Sequence, residues 1–256
     1  LGAESGPQMS TNIATQTGGH NVAIGFYAMK SITTGANNVC IGKEAGIKIN
    51  TGSSGVAIGL RAGHKVTGAA NTIAIGEDAL QAITTSGNTI GIGNHAGYYS
   101  TGGQNLYIGH NAGYGHVTTN SGHNNIGMGQ SAMYFLTTGY ENVCMGRQGG
   151  YQMTTGFGNV FIGKYAGYSN TSGQNSVYIG TSAGYYKNGT GCIFIGSFSG
   201  AKSNDGDHTN KLAIGAVSNS DTYRGYNGAF LWGDFNSTAL TSRYLRISGH
   251  LGIGCD

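Results

Sequence analysis

The chain repeats one short pattern of apolar and small residues about every 17 positions. Each copy has an aliphatic residue, a variable residue, a second aliphatic residue and a glycine, often after Asn, as in residues 21–25 (NVAIG). About fourteen copies can be counted, and the last two, at 229–233 and 250–254, are degenerate. A fixed period of this length is typical of stacked repeat proteins, in which each repeat contacts its neighbours. The pattern therefore predicts an elongated body that binds or spans, and it argues against an enzyme pocket.

The apolar alternation around each final glycine, here called the anchor glycine, predicts a short strand with one buried face. We expect the two flanking aliphatic residues, such as Val22 and Ile24, to point inward and the variable residue between them, Ala23, to point outward. At the anchor glycine the backbone is expected to need a positive φ or a close approach. Together with a following turn rich in Thr-Gly, this predicts two short strands and two tight turns in each coil.

Two further columns of the repeat carry structural information. The residue three after the anchor is small, as at Ala28 and Ala45, which predicts a narrow space on that side of the coil. Asn often opens the strand, and stacked Asn side chains can hydrogen-bond from one coil to the next. Asn occupies this column at positions 21, 38, 105, 125, 142 and 159.

The predicted fold is an all-β, elongated β-solenoid, of the β-roll or β-helix type, with about 14 coils. Residues 1–20 are interpreted as a lead-in or linker and residues 21–215 as the regular repeats. Residues 216–256 are interpreted as an irregular C-terminal β segment. A coil of 17 residues buries few aliphatic side chains, so we expect the thin rod to be stabilised by homo-oligomerisation around a shared axis.

Composition narrows the functional classes. There are 49 glycines but one proline, Pro7, which excludes collagen. A net charge of +3 without any Lys/Arg cluster predicts no nucleic-acid partner. No apolar run is long enough for a membrane helix, so no membrane insertion is expected. The four cysteines are expected to be free, because Cys40 and Cys144 share one column six coils apart.

The repeat resembles the head repeats of trimeric adhesins, as residues 159–186 (NVFIGKYAGYSNTSGQNSVYIGTSAGYY) illustrate. Such repeats occur in the left-handed β-rolls of autotransporter adhesin heads and, with a longer period, in bacteriophage tail fibres. The 17-residue period is more similar to the phage type. Residues 230–237 (FLWGDFNS) and 245–254 (LRISGHLGIG) resemble the stretch that precedes the self-cleaving chaperone of phage tail fibres. The resemblance covers about residues 10–254.

What the resemblance implies is a homotrimer, a segment of a phage tail fibre in the virion. This segment would attach the particle to a host surface polysaccharide or outer-membrane protein, without catalysis and without a cofactor. The alternative is the head of a bacterial trimeric surface adhesin, which would bind an extracellular ligand at the cell surface.

Aromatic residues are the first candidates for binding. Tyr falls five residues after the anchor in six consecutive coils, and two further Tyr residues follow directly. This column either stacks on sugar rings or packs between coils or chains. The residues are Tyr98, Tyr99, Tyr114, Tyr134, Tyr151, Tyr168, Tyr185 and Tyr186.

The irregular turns are the second candidates, since insertions in solenoids form loops on one face. The longest turn contains His116 and His123, and a later turn contains Asn204, Asp205 and Asp207. Neither set matches a familiar metal-ligand pattern. No nucleophile motif or phosphate loop occurs. A polysaccharide depolymerase with carboxylates paired across chains, and an ice-binding solenoid, are less favoured alternatives.

Overall fold

In a computed structural model of the protein, residues 18–116, 120–201, 209–215, 231–234 and 244–247 are described. They contain fourteen strands in one sheet, in sequential order. The strands are β1 Val22–Ile24, β2 Val39–Ile41, β3 Val56–Ile58, β4 Ile73–Ile75, β5 Ile90–Ile92, β6 Leu106–Ile108, β7 Ile126–Met128, β8 Val143–Met145, β9 Val160–Ile162, β10 Val177–Ile179, β11 Ile193–Ile195, β12 Lys211–Ile214, β13 Leu231–Asp234 and β14 Tyr244–Ile247.

Strands β1–β12 are stacked in parallel, one strand per coil, which confirms the all-β solenoid and its period. Each strand pairs with the equivalent residues of the next coil, for example Val22 with Val39. This register is kept across the 20-residue interval between β6 and β7, where Leu106 pairs with Ile126. Insertions and deletions are therefore absorbed in the turns, because a slipped register would exchange the two faces of the strand.

The regular stack comprises about eleven turns, so the expected fourteen coils are not confirmed. Strand β13 overlaps the degenerate phrase at 229–233, but it pairs antiparallel to β12 and so does not continue the parallel stack. Strand β14 is in turn antiparallel to β13. The phrase at 250–254 lies outside the described residues. Between β1 and β12 the rod is about 53 Å long, since eleven strand spacings of about 4.8 Å separate them.

The prediction of a second strand in each coil is wrong for the described residues. Outside the named strands, β-pairing is limited to isolated parallel bridges. These join Tyr140 to Phe157, Phe157 to Gln174 and Thr190 to Thr209. The rest of each coil is made of turns. Residues such as Arg61 and Tyr165 have φ values of 53° and 61°, and this left-handed backbone conformation does not continue a strand.

The orientation predicted for the strand residues was also wrong. In β2–β11 the middle residue is buried, and the two flanking aliphatic residues are half-buried or exposed. Cys40, in the middle of β2, has no exposed surface. An added Cβ at Gly46 would lie 2.5 Å from the Cys40 sulfur and 2.6 Å from Ile49. The middle residue therefore packs across the coil interior against the segment four to seven residues after the anchor.

The core is kept filled by compensation between the two sides of a coil. Where the middle strand residue is small, as at Gly127, Met133 and Leu136 fill the interior. Where it is aromatic, as at Phe161, the facing position is Gly167, whose added Cβ would lie 2.5 Å from the ring. Close packing of a narrow interior requires such pairing of large with small residues.

The anchor glycine and the small column behave as predicted. Gly129 has a φ of 129°, and an added Cβ would lie 2.6 Å from the carbonyl oxygen of Gly146 in the next coil. Both the conformation and the contact thus require glycine. Ala28 and Ala45 are fully buried, in agreement with a space too narrow for larger side chains.

Asn side chains form a hydrogen-bonded ladder between the coils that carry Asn in this column, as the sequence predicted, and the ladder is continuous from Asn105 to Asn159. Asn142 Nδ2 donates to Asn125 Oδ1 at 3.0 Å and to the Gly156 carbonyl at 2.8 Å. Asn142 Oδ1 accepts from the backbone and side-chain nitrogens of Asn159 at 3.1 and 2.9 Å. Each Asn therefore satisfies backbone groups that the turn leaves without partners.

Candidate functional site

Two rows of aliphatic side chains run along the outer surface of the sheet; we call them the Val/Ile face. They are the first and last residues of the three-residue strands, with Leu212 and Ile214 in β12. Every member within β1–β12 is Val, Ile, Leu or Met. Several are strongly exposed, among them Val22 at 45%, Ile24 at 42% and Ile193 at 41%.

The Val/Ile face is a long, narrow strip that is apolar throughout. The strip is roughly 53 Å long and about 10 Å wide, because each strand contributes three residues of about 3.3 Å. This corresponds to roughly 500 Å², which is near the upper range of apolar patches on monomeric soluble proteins. No polar side chain interrupts either row within β1–β12. A surface of this kind is a candidate site for protein–protein association.

The tyrosine column forms a continuous stack, which we call the tyrosine ladder. Consecutive ring centroids lie 4.8–5.3 Å apart, with interplanar angles of 5–23°. All six rings are half-buried. Burial raises the pKa of Tyr114 to about 12 and also raises the pKa of three other ladder tyrosines. The ladder consists of Tyr98, Tyr114, Tyr134, Tyr151, Tyr168 and Tyr185.

This stacking changes which ligands the ladder can accept. Inside the ladder each ring face is covered by the next ring, so a sugar cannot stack there. The neighbouring rings lie edge-on, since Tyr99 is inclined 83° to Tyr98 and 88° to Tyr114. Tyr186 is 55% exposed. A ligand on this side would therefore contact hydroxyl edges and the flanking rings.

The Val/Ile face and the tyrosine ladder lie on opposite sides of the coil. The ladder residue follows the position that packs across the interior from the strand, as Gly167 packs on Phe161. Tyr168, the next residue, is directed outward. One surface can thus be covered by a partner while the other stays accessible.

A charged cluster lies at the N-terminal end of the tyrosine ladder. Arg61 donates to both carboxylate oxygens of Asp78, at 2.8 and 2.6 Å. His95 Nε2 lies 3.7 Å from the same carboxylate, and the His95 ring packs 5.2 Å from the Tyr98 ring. The hydrogen bond to Asp78 raises the pKa of Arg61, whereas burial lowers the pKa of His64. With its carboxylate paired on both oxygens, Asp78 is a structural anion.

The histidines of the longest turn do not form a ligand site among the described residues. No group of three His, Cys, Asp or Glu side chains there could hold a metal ion. His116 is exposed, and His123 stacks on Tyr140 at 5.3 Å. The candidates Asn204, Asp205 and Asp207 lie outside the described residues.

The cysteines and the interior offer no reactive site in the part of the chain that is described. Cys40 and Cys144 are free and buried, Cys192 is also buried, and burial raises the pKa of Cys40 to about 12. One cavity, beside Ala57 and Ala74, has a volume of about 10 Å³; this is about the space of one water molecule. No helix among these residues is long and apolar enough to cross a membrane.

Sequence reasoning missed two features of the surface. It assigned the residues of the Val/Ile face to the core. It also overlooked a second stack, His123–Tyr140–Phe157, in which the ring centroids of Tyr140 and Phe157 lie 4.8 Å apart at an interplanar angle of 3°. The signal for that stack was present, because the three residues are spaced by 17.

Comparison with protein-family models, curated proteins and solved structures gives no match to this chain. The β-solenoid fold and the two longitudinal surfaces are therefore the basis for assigning a function.

Proposed function

We propose that this chain is a structural and receptor-binding segment of a homotrimeric fibre, of the phage tail-fibre type, that attaches to a host cell surface without catalysis. The observation that supports the proposal is the Val/Ile face. Three chains that pack these faces around a common axis would cover all 24 aliphatic side chains of β1–β12.

The Val/Ile face would form the apolar centre of this assembly. At roughly 500 Å² for each chain, three chains would bury about 1,500 Å² in total, or about 500 Å² at each of the three interfaces, so the columns beside the face must supply the rest of the area that a specific interface needs. A copy of the same chain is the partner that fits the face best, because its rows have the same spacing at every coil. Three chains, as opposed to two, follow from the resemblance to adhesin and tail-fibre repeats.

The tyrosine ladder and its flanking rings would then lie on the outside of the fibre. This arrangement leaves Tyr99, Tyr186 and the ladder hydroxyls accessible to a host polysaccharide or outer-membrane protein. A bacterial adhesin head would be built in the same way. The tail-fibre proposal and the adhesin alternative are therefore distinguished by the full-length gene and its neighbours. Neighbouring tail genes or a following self-cleaving chaperone would favour the fibre, and a signal peptide or membrane anchor would favour the adhesin.

The mass of the purified chain, measured by light scattering, tests the assembly. A trimer has three times the chain mass of 26.2 kDa. Ile92→Lys places a charge in the middle of the Val/Ile face and is expected to give monomers or unfolded chain. Ala82→Lys, on the opposite side of the coil, is the matched control and is expected to remain trimeric. A wild-type chain that is monomeric at all concentrations would refute the trimer.

Binding of the trimer to host cells, with and without Tyr186→Ala, tests attachment. We expect cell binding without release of reducing sugar from host polysaccharide. Released sugar would instead support the depolymerase alternative.

A further inference from the structure

The Val/Ile face is bordered on each long side by a mainly polar, exposed column. The first rim is the residue after each anchor glycine, and the second rim is the residue five before it. Apolar centres with polar rims are the usual anatomy of protein interfaces. The first rim includes Lys43, Glu77, His110, Gln130, Arg147 and Lys164. The second includes Asn37, Asn71, Gln104, Asn124, Glu141 and Asn175.

One coil carries opposite charges on its two rims. In the coil of β8, Glu141 precedes the strand and Arg147 follows it, and both side chains are exposed. Neither forms an ion pair within the described residues. The strand separates the two side chains by roughly 15–20 Å at about 3.3 Å per residue, so they cannot pair within one chain.

Symmetry brings these rims together between chains. A rotation about an axis parallel to the rod places the first rim of each chain beside the second rim of the next, at the same height. We propose that Arg147 of each chain pairs with Glu141 of the neighbouring copy, and that this pair sets a parallel, in-register assembly. The inference rests on the proposed trimer and adds its register.

The rest of the rims is compatible with this register. Among the described coils, none carries charges of the same sign on both rims, so an in-register assembly meets no like-charge contact there. A shift by one coil would remove the partner of Arg147 and would place Lys164 beside Glu141 instead. An antiparallel assembly would place each rim beside the same rim of the partner, so Arg147 and Glu141 would not meet in any coil. Variants of Arg147 and of Lys164 therefore distinguish the in-register assembly from one that is shifted by one coil.

Charge reversal tests the pairing. Glu141→Arg and Arg147→Glu are each expected to weaken the trimer on the order of ten- to a hundredfold, since three contacts are affected and each is worth a few-fold. The double variant is expected to return to within about threefold of the wild type. The effect should shrink in high salt, because exposed pairs are screened. Trimer dissociation on dilution, or its midpoint in urea, which is uncharged, gives the measurement.

Lys164→Glu is the matched control, on the same rim one coil away. It is expected not to rescue Glu141→Arg. Circular dichroism shows whether each variant keeps its strands, and both positions are exposed, so folding should be retained. If the wild type is a trimer but Arg147→Glu fails to rescue Glu141→Arg, the register inference alone is overturned. The same holds if Lys164→Glu rescues Glu141→Arg. A monomeric wild type overturns the proposed assembly itself.

Discussion

Replacing Asn142 by Ala should destabilise the fold strongly, although the change is confined to one small side chain. The Asn142 side chain is fully buried and makes four hydrogen bonds, two as donor and two as acceptor. In the variant, the backbone N–H of Asn159 and the carbonyl of Gly156 lose their partners inside the coil. At about 1–3 kcal/mol for each orphaned buried group, the expected loss is about 2–6 kcal/mol.

Asn142→Ser should recover most of this loss. Ser176 occupies the equivalent position two coils later, where its Oγ donates to the Gly189 carbonyl at 3.0 Å and accepts from the Cys192 N–H at 3.1 Å. A hydroxyl can thus serve both the donor and the acceptor role of the missing amide.

The assay is unfolding in guanidinium chloride at one fixed chain concentration, because association contributes to stability. Repeat proteins can unfold in sections, so hydrogen exchange of the Asn159 amide provides a local measurement. Gln152→Ala, on the opposite surface, serves as the control. A loss below 1 kcal/mol in Asn142→Ala, or an equal loss in the Ser variant, would show that the ladder does not stabilise the coil in this way.

Three further predictions follow from the geometry. Gly129→Ala should cost about 3 kcal/mol or more in unfolding free energy, because it combines a strained φ with a backbone clash; Gly19→Ala, which meets nothing within 4 Å, should be nearly neutral, and similar losses would contradict the argument. Tyr134→Ala removes two ring stacks and should lower stability by about 1–3 kcal/mol, whereas Tyr134→Phe keeps both stacks; equal thermal midpoints would refute a stabilising ladder. Burial lowers the pKa of His64 below 6.5, so its contribution is complete above pH 6.5 and is lost as the pH falls through its folded pKa. His64→Gln should therefore show a smaller drop in melting temperature between pH 7 and pH 5 than the wild type, and a parallel pH profile would contradict this.

Several elements of the fold were predictable from sequence because they depend on local chemistry repeated at one period. The anchor glycine and the Asn ladder each respond to a contact with the next coil, one repeat away, and the small column at Ala28 responds to the narrow space inside its own coil. A parallel stack brings equivalent residues together, so the spacing of 17 gives their neighbours directly. The tyrosine ladder follows from the same rule, and its use of the ring faces for stacking could be judged only from the ring geometry.

The sequence by itself determined the period, the positions of strands β1–β12 and the existence of two different strand faces; the tertiary structure decided which face is inside and that β13 and β14 run antiparallel. Alternation is the same for either orientation, and the uniform Val/Ile rows looked more like a core than the variable middle column. The structure shows the reverse, because a narrow interior is filled by exchange of volume between facing positions such as Gly127 and Met133 or Phe161 and Gly167. Such a column varies in sequence because each residue is matched to the size of the residue that faces it. The Val/Ile rows face outward and need not match the size of any residue inside their own coil. They can therefore stay uniform, and this uniformity is the sequence signal of the outer surface of the rod.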